Sequence, residues 1–95
     1  MKIKDLQPGI NRVNIESEVL EKGLLREFEK FGRKGKVCEV KIRDDTGEFI
    51  LVLWDDEVDK VQQGNRIKIT NGYVKRYQGE PQLLVGRYGL LEIIE

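Results

Sequence analysis

The chain has 95 residues, room for one small domain with one compact core. Lys plus Arg and Asp plus Glu number 17 each, so a blanket polycation is excluded, although a local basic patch is not. Histidine is absent and Cys38 is the only cysteine, which removes the imidazole general base, most zinc sites and any internal disulfide. A lone thiol fits a reducing, cytoplasmic setting. No apolar stretch reaches membrane-spanning length, and MKIKDLQPG lacks the character of a signal peptide.

Along the chain the dominant hydrophobic period is two. Val13, Ile15, Ser17 and Val19 alternate with Asn14, Glu16 and Glu18, predicting a half-buried first strand. The segment Glu21–Lys36 reads as a long connection. Cys38, Val40 and Ile42 alternate with Glu39, Lys41 and Arg43 in a second strand. A turn at Asp44–Gly47 leads into FILVLW, a third strand that is apolar on both faces. DDEVDKVQQG then predicts one short helix, with Asp55 or Asp56 as its cap, carboxylates in its first turn and Gly64 at its end. Val58 and Val61, three apart, can face the end of a barrel. RIKITNGYVKRY is a fourth strand with a bulge or bend at Asn71-Gly72. A tight turn at Gln78–Pro81 leads to a fifth strand, QLLVGRYGLLEII, interrupted by Gly86 and Gly89. The fold class is therefore all-β with a small α component. The pattern fits a single five-stranded Greek-key barrel of the OB type over residues 1–95, with one helix between strands three and four; a small open sandwich is the alternative.

Recognised catalytic constellations are missing. There is no phosphate-binding glycine loop, no Cys/His pair and no serine elbow, and the only serine, Ser17, falls on the core face of strand one. The DDEVD carboxylates do not match a calcium loop and read as helix capping, so neither metal nor cofactor is expected. Charge is nonetheless segregated. Five basic residues (Arg26, Lys30, Arg33, Lys34, Lys36) and two acidic ones lie between Leu24 and Lys36, around Phe28 and Phe31. Lys75 and Arg76 precede Tyr77, at a strand end where exposure is expected. Cations for phosphates beside aromatics for bases are what a single strand requires. For Trp54 the period leaves two fates. It shares a face with Ile50 and Val52, opposite Phe49, Leu51 and Leu53, and both faces are apolar. It is a core plug or an exposed stacking platform.

The string KVCEVKIRDDTGEFILVLWDDEVDKVQQGNRIKITNGYVKRYQGEPQLLV resembles the single-stranded-DNA-binding OB domains of the replication protein A family, archaeal type. Four features carry the likeness: the DDTG strand turn, LW before an acidic helix with VDK, GNRIKITNG leading strand four, and VKRYQGEPQL. The lead-in IKDLQPGINRVNIESEVLE is also similar. The resemblance implies single-stranded DNA as partner, with Trp54 and Tyr77 stacking on bases in a track across strands two and three. It implies backbone contacts from Arg33, Lys34, Lys41 and Arg43, with Arg26 and Phe28 nearby and the Lys75–Arg76 pair beside Tyr77. Further OB domains or replication proteins are expected partners, a membrane or small-molecule substrate is not. Such domains also bind proteins, and OB barrels also bind RNA, so both stand as alternatives.

Overall fold

The computed structural model describes Met1–Glu95. Six strands follow a 3-10 turn at Ile3–Asp5: β1 (Val13–Lys30), β2 (Arg33–Asp44), β3 (Gly47–Trp54), β4 (Arg66–Tyr77), β5 (Glu80–Leu84) and β6 (Leu90–Ile93), with helix α1 (Asp56–Lys60) between β3 and β4. The sheet closes on itself. β1 pairs with β4 over Val13–Glu18 and with β2 from Glu18 onward, so one long strand serves two neighbours. β3 joins β5 in parallel, and β5 returns to β4. This ring, β1-β2-β3-β5-β4-β1, is the expected five-stranded barrel. The expected fifth strand is two pieces, β5 and β6, which lie in succession along β4 on either side of a turn at Gly86–Gly89.

The alternating residues of β1 and β2 enter one aliphatic core. Val13, Ile15, Val19, Cys38, Val40 and Ile42 are all buried, and Leu51 and Leu53 from β3 meet them. Val58 and Val61 close the end of the barrel beyond β3, and Ile3 and Leu6 join the core near the β2–β3 turn. Ser17 is buried with its hydroxyl unpartnered. The β2–β3 turn is held by Asp44, whose carboxylate accepts hydrogen bonds from the Ile3 N–H at 2.8 Å and from the Thr46 N–H at 2.7 Å. Burial acts to raise the Asp44 carboxyl, but the hydrogen bonds from Thr46 and Ile3, with the Lys2 charge, outweigh it and hold the group below its ordinary value. No helix is long and apolar enough to cross a membrane.

Four expectations are corrected. Glu21–Lys36 is no loop: β1 and β2 continue as a two-stranded arm to a turn at Phe31-Gly32, both with left-handed φ (53° and 74°), between the paired residues Lys30 and Arg33. No residue of β1 beyond Val19 is buried, so no hydrophobic alternation marks the arm in the sequence. The helix is not capped by an aspartate side chain. Asp55 sits at φ 52° and its Oδ1 instead accepts the Lys36 N–H at 3.1 Å, extending the β2–β3 pairing by one step. Gly64 does not end the helix, which stops at Lys60; it belongs to a separate turn closed by the Asn65 N–H on the Gln62 carbonyl. The Asn71 bulge is present, with φ 58° and a register shift between β1 and β4. The β4–β5 turn is shorter than expected, Gln78-Gly79 alone.

Candidate nucleic-acid interface

Register determines which side chains share the outer wall. Val37 lies opposite Trp54, Glu39 opposite Val52, and Val52 beside Leu84. On the arm Arg26 faces Val37, and on β4 Lys75 faces Gln82. Because neighbouring strand residues alternate sides, burial of Leu51 and Leu53 at 0% puts Trp54 outside, 43% exposed. The core-plug fate is thereby excluded.

The outer wall is concave there. A groove of about 310 Å³ runs over Val37, Val52 and Leu84, with Trp54 and Tyr77 both lining it. Arg26 and Leu24 come from the arm and Lys75 from β4. Neither Arg26 nor Lys75 is engaged in an ion pair. On the same wall the Gln82 amide donates to Glu39 Oε1 at 2.9 Å. A carboxylate at that place repels phosphates, so an anionic backbone is favoured at the rims and bases over the apolar floor.

Phe28 belongs to the same assembly. Its ring meets Trp54 edge-on, centroids 5.9 Å apart at 79°. It lies over Gly35, its cross-strand partner, where a Cβ would come 2.5 Å from Phe28 Cζ. Only a glycine leaves room for the ring, so Gly35 positions Phe28 and, through it, the indole edge. Lys34 lines the adjoining depression with Phe28 and Asp55, and Arg33 is exposed beside the arm's turn.

Other cations are placed differently. Lys36 is tied to Asp59, and that hydrogen bond raises its pKa against the opposing effect of burial. Burial pushes the Glu57 carboxyl upward in the first turn of α1. Lys41 stands between Glu21 at 3.7 Å and Glu48 at 4.0 Å, and Arg43 pairs with Glu18 at 3.5 Å. Arg43 is six residues along β2 from Val37, about 20 Å at strand rise. Arg76 alternates with Lys75 and Tyr77 and does not line the groove. The structure thus gathers Trp54, Tyr77, Phe28, Arg26, Lys34 and Lys75 around one groove and the depression beside it, while Lys41 and Arg43 lie further along the same face of β2 and Arg76 lines neither. The sequence reading put Val52 on the Trp54 face but missed Leu24, Val37, Leu84 and the Glu39–Gln82 bridge. Leu24 was signalled only by the pair LL at the base of the arm.

The tRNA anti-codon family, described as an OB-fold nucleic acid binding domain, matches residues 13–91. The chain belongs to this OB-fold family. Among solved structures, this OB domain is similar to the second OB-fold domain of replication protein A from Methanococcus maripaludis. The TM-score is 0.78 and the identity 30%, covering 100% of this chain and 94% of that one. It is also similar to the replication factor A related protein from Methanobacterium thermoautotrophicum, with TM-score 0.79 and 25% identity over 100% of this chain and 90% of that one. In sequence it is 28% identical over 85 residues to the single-stranded DNA binding protein Ssb of Saccharolobus solfataricus, 90% of this chain and 57% of that protein. The chain thus spans little more than half the length of that curated relative. The replication protein A resemblance read in the sequence holds, as an OB domain of archaeal type.

Proposed function

We propose that this OB domain binds single-stranded DNA without strong sequence preference, in replication, repair or recombination. The observation that carries the reading is the convergence of Trp54 and Tyr77 in one groove between the unpaired cations Arg26 and Lys75. The names of its relatives point the same way: a single-stranded DNA binding protein and replication protein A domains. Bases stack on Trp54 and Tyr77 over the floor of Val52 and Leu84. Phosphates follow the rims, met by Arg26 and Lys75 and, toward the arm, by Arg33 and Lys34. Arg43, Lys41 and Arg76 add to the general field rather than to the groove.

Each stacked base contributes about 1–3 kcal/mol. Three phosphate contacts give a log–log salt slope of about −2 on a single strand. One module of this kind binds modestly, and further OB domains on the same chain or in a complex raise the effective concentration. The chain acts as one binding module, in the cytoplasm, without turnover.

The test uses Trp54 as the reporter, since it is the only tryptophan. Oligo-dT is expected to quench its fluorescence with a salt-dependent Kd, and Tyr77→Ala to weaken that Kd while the reporter stays in place. Oligo-U run in parallel distinguishes DNA from RNA. No quenching and no gel shift at low salt would refute the reading.

A further inference from the structure

The groove over Trp54 is not the only concavity on this wall. A second one, of about 470 Å³, lies further along β4. Its cations are Arg12, Lys75 and Arg87, and no carboxylate lines it. That sets it apart in a chain whose charges balance. The Trp54 groove holds Glu39; the depression under the arm holds Glu27, Glu29, Asp55 and Asp56; the cleft beside Met1 holds Glu16, Glu18, Asp44 and Asp45. None of Arg12, Lys75 or Arg87 is engaged in an ion pair.

The two grooves share Lys75. Tyr73, Lys75 and Tyr77 alternate onto the same side of β4, and Tyr73 pairs with Leu84 of the first groove's floor. From Tyr77 to Tyr73 is about 13 Å at strand rise, with no acidic group on that side of β4 between them. At the far end Arg87 and Tyr88 occupy the centre of the turn closed by the Gly89 N–H on the Gly86 carbonyl at 2.9 Å. Tyr88 is 82% exposed, with the Arg87 guanidinium 5.9 Å from its ring centroid. The turn is pinned: Asn71 Nδ2 donates to the Tyr88 carbonyl at 3.4 Å, and the Asn71 N–H is held by Asn14 Oδ1 at 3.1 Å. Gly86 admits the Tyr73 ring against the backbone, where a Cβ would lie 2.8 Å from it.

We propose that this acid-free groove is a second subsite for the same strand. It takes the phosphodiester backbone on Arg12, Lys75 and Arg87 and stacks one base on Tyr88. The proposal rests on the nucleic-acid reading of the Trp54 groove and extends its footprint past Lys75 toward the β5–β6 turn.

The test is a length series with Trp54 fluorescence as the readout: an oligo-dT of about four nucleotides against one of about twelve, spanning the range of OB sites. The wild-type chain is expected to bind the longer strand more tightly and with a steeper salt slope. In the triple variant Arg12→Gln, Arg87→Gln, Tyr88→Ala, the long strand should weaken roughly fivefold or more, the scale of a lost base stack. Its salt slope should drop by about 1.4, two contacts' worth on a single strand. The short strand should bind as before. Tyr88→Ala alone should lower long-strand affinity with the slope unchanged, and Arg12→Lys with Arg87→Lys should keep the slope. Equal losses on both lengths, or no loss on the long one, overturn the second subsite. If both lengths quench Trp54 equally in the wild type, the first groove stands and only this proposal fails. If neither quenches, both fail.

Discussion

The two sides of β3 have nearly the same hydrophobicity and opposite roles. Leu51 and Leu53 are fully enclosed by the barrel, while Ile50, Val52 and Trp54 alternate with them on the outer wall. The inner pair touches only protein; of the outer set, Val52 and Trp54 line a groove flanked by Arg26 and Lys75. An apolar outer face on a strand is costly in water unless something covers it. Here the cover is partial: the Phe28 edge, the Glu39–Gln82 bridge and the wall's own curvature leave Trp54 and Tyr77 accessible. The inner side of the strand serves stability, and the outer side is the face that the proposed binding uses.

That division can be broken from either side. The largest effect is expected inside: Leu53→Ala should cost about 2–5 kcal/mol of unfolding free energy by denaturant titration, as a core truncation does. The affinity of the remaining folded molecules for oligo-dT should hold. Outside, the pattern should invert. Trp54→Ala should raise the Kd for labelled oligo-dT by about 1–3 kcal/mol in fluorescence anisotropy, with a small change in melting. A larger loss of stability than of affinity there would erase the distinction between the faces. Smaller still is Gly35→Ala, which forces Phe28 off the indole edge; the expected loss of affinity is about 0.5–1.5 kcal/mol. In a Phe28→Leu background the same substitution should add little, because the two changes remove one contact. At the low end, Lys41→Ala and Arg43→Ala should each shift stability by no more than about 1 kcal/mol, since their partners are exposed glutamates. Their effect on Kd for a short strand should be smaller than that of Arg26→Ala in the same assay.

Much of the barrel is legible in the sequence. The alternation of Val13–Val19 and of Cys38–Ile42, the Asp44–Gly47 turn, the Asn71 bulge and the inward pair Val58 and Val61 all fall where the period of two and the turn chemistry put them. The arm from Glu21 to Lys36 was not legible. Its strands hold each other by hydrogen bonds rather than by a buried face, and a Phe-Gly turn lacks the usual Asn-Gly or Asp-Gly signature. The aspartate cap failed for a related reason: Asp55 is claimed by the Lys36 backbone, a partner 19 residues away in sequence. In the candidate groove, Trp54 and Tyr77 could be named from their strand positions and from family likeness. Tyr88 and Arg87 of the proposed second subsite could not, because GRYG reads as a break in a strand until Asn71 is seen holding it.

By itself the sequence determined the strand periods, the balanced charge, the absence of histidine and the replication protein A resemblance, because these are properties of residues in order. Which apolar face of β3 points inward was decided only by closure of the ring. Periodicity separates two faces but does not rank them, and closure needs the pairings β1–β4 and β3–β5 between residues far apart in the chain. The same closure brings Arg26, Trp54 and Lys75 from three strands to one groove.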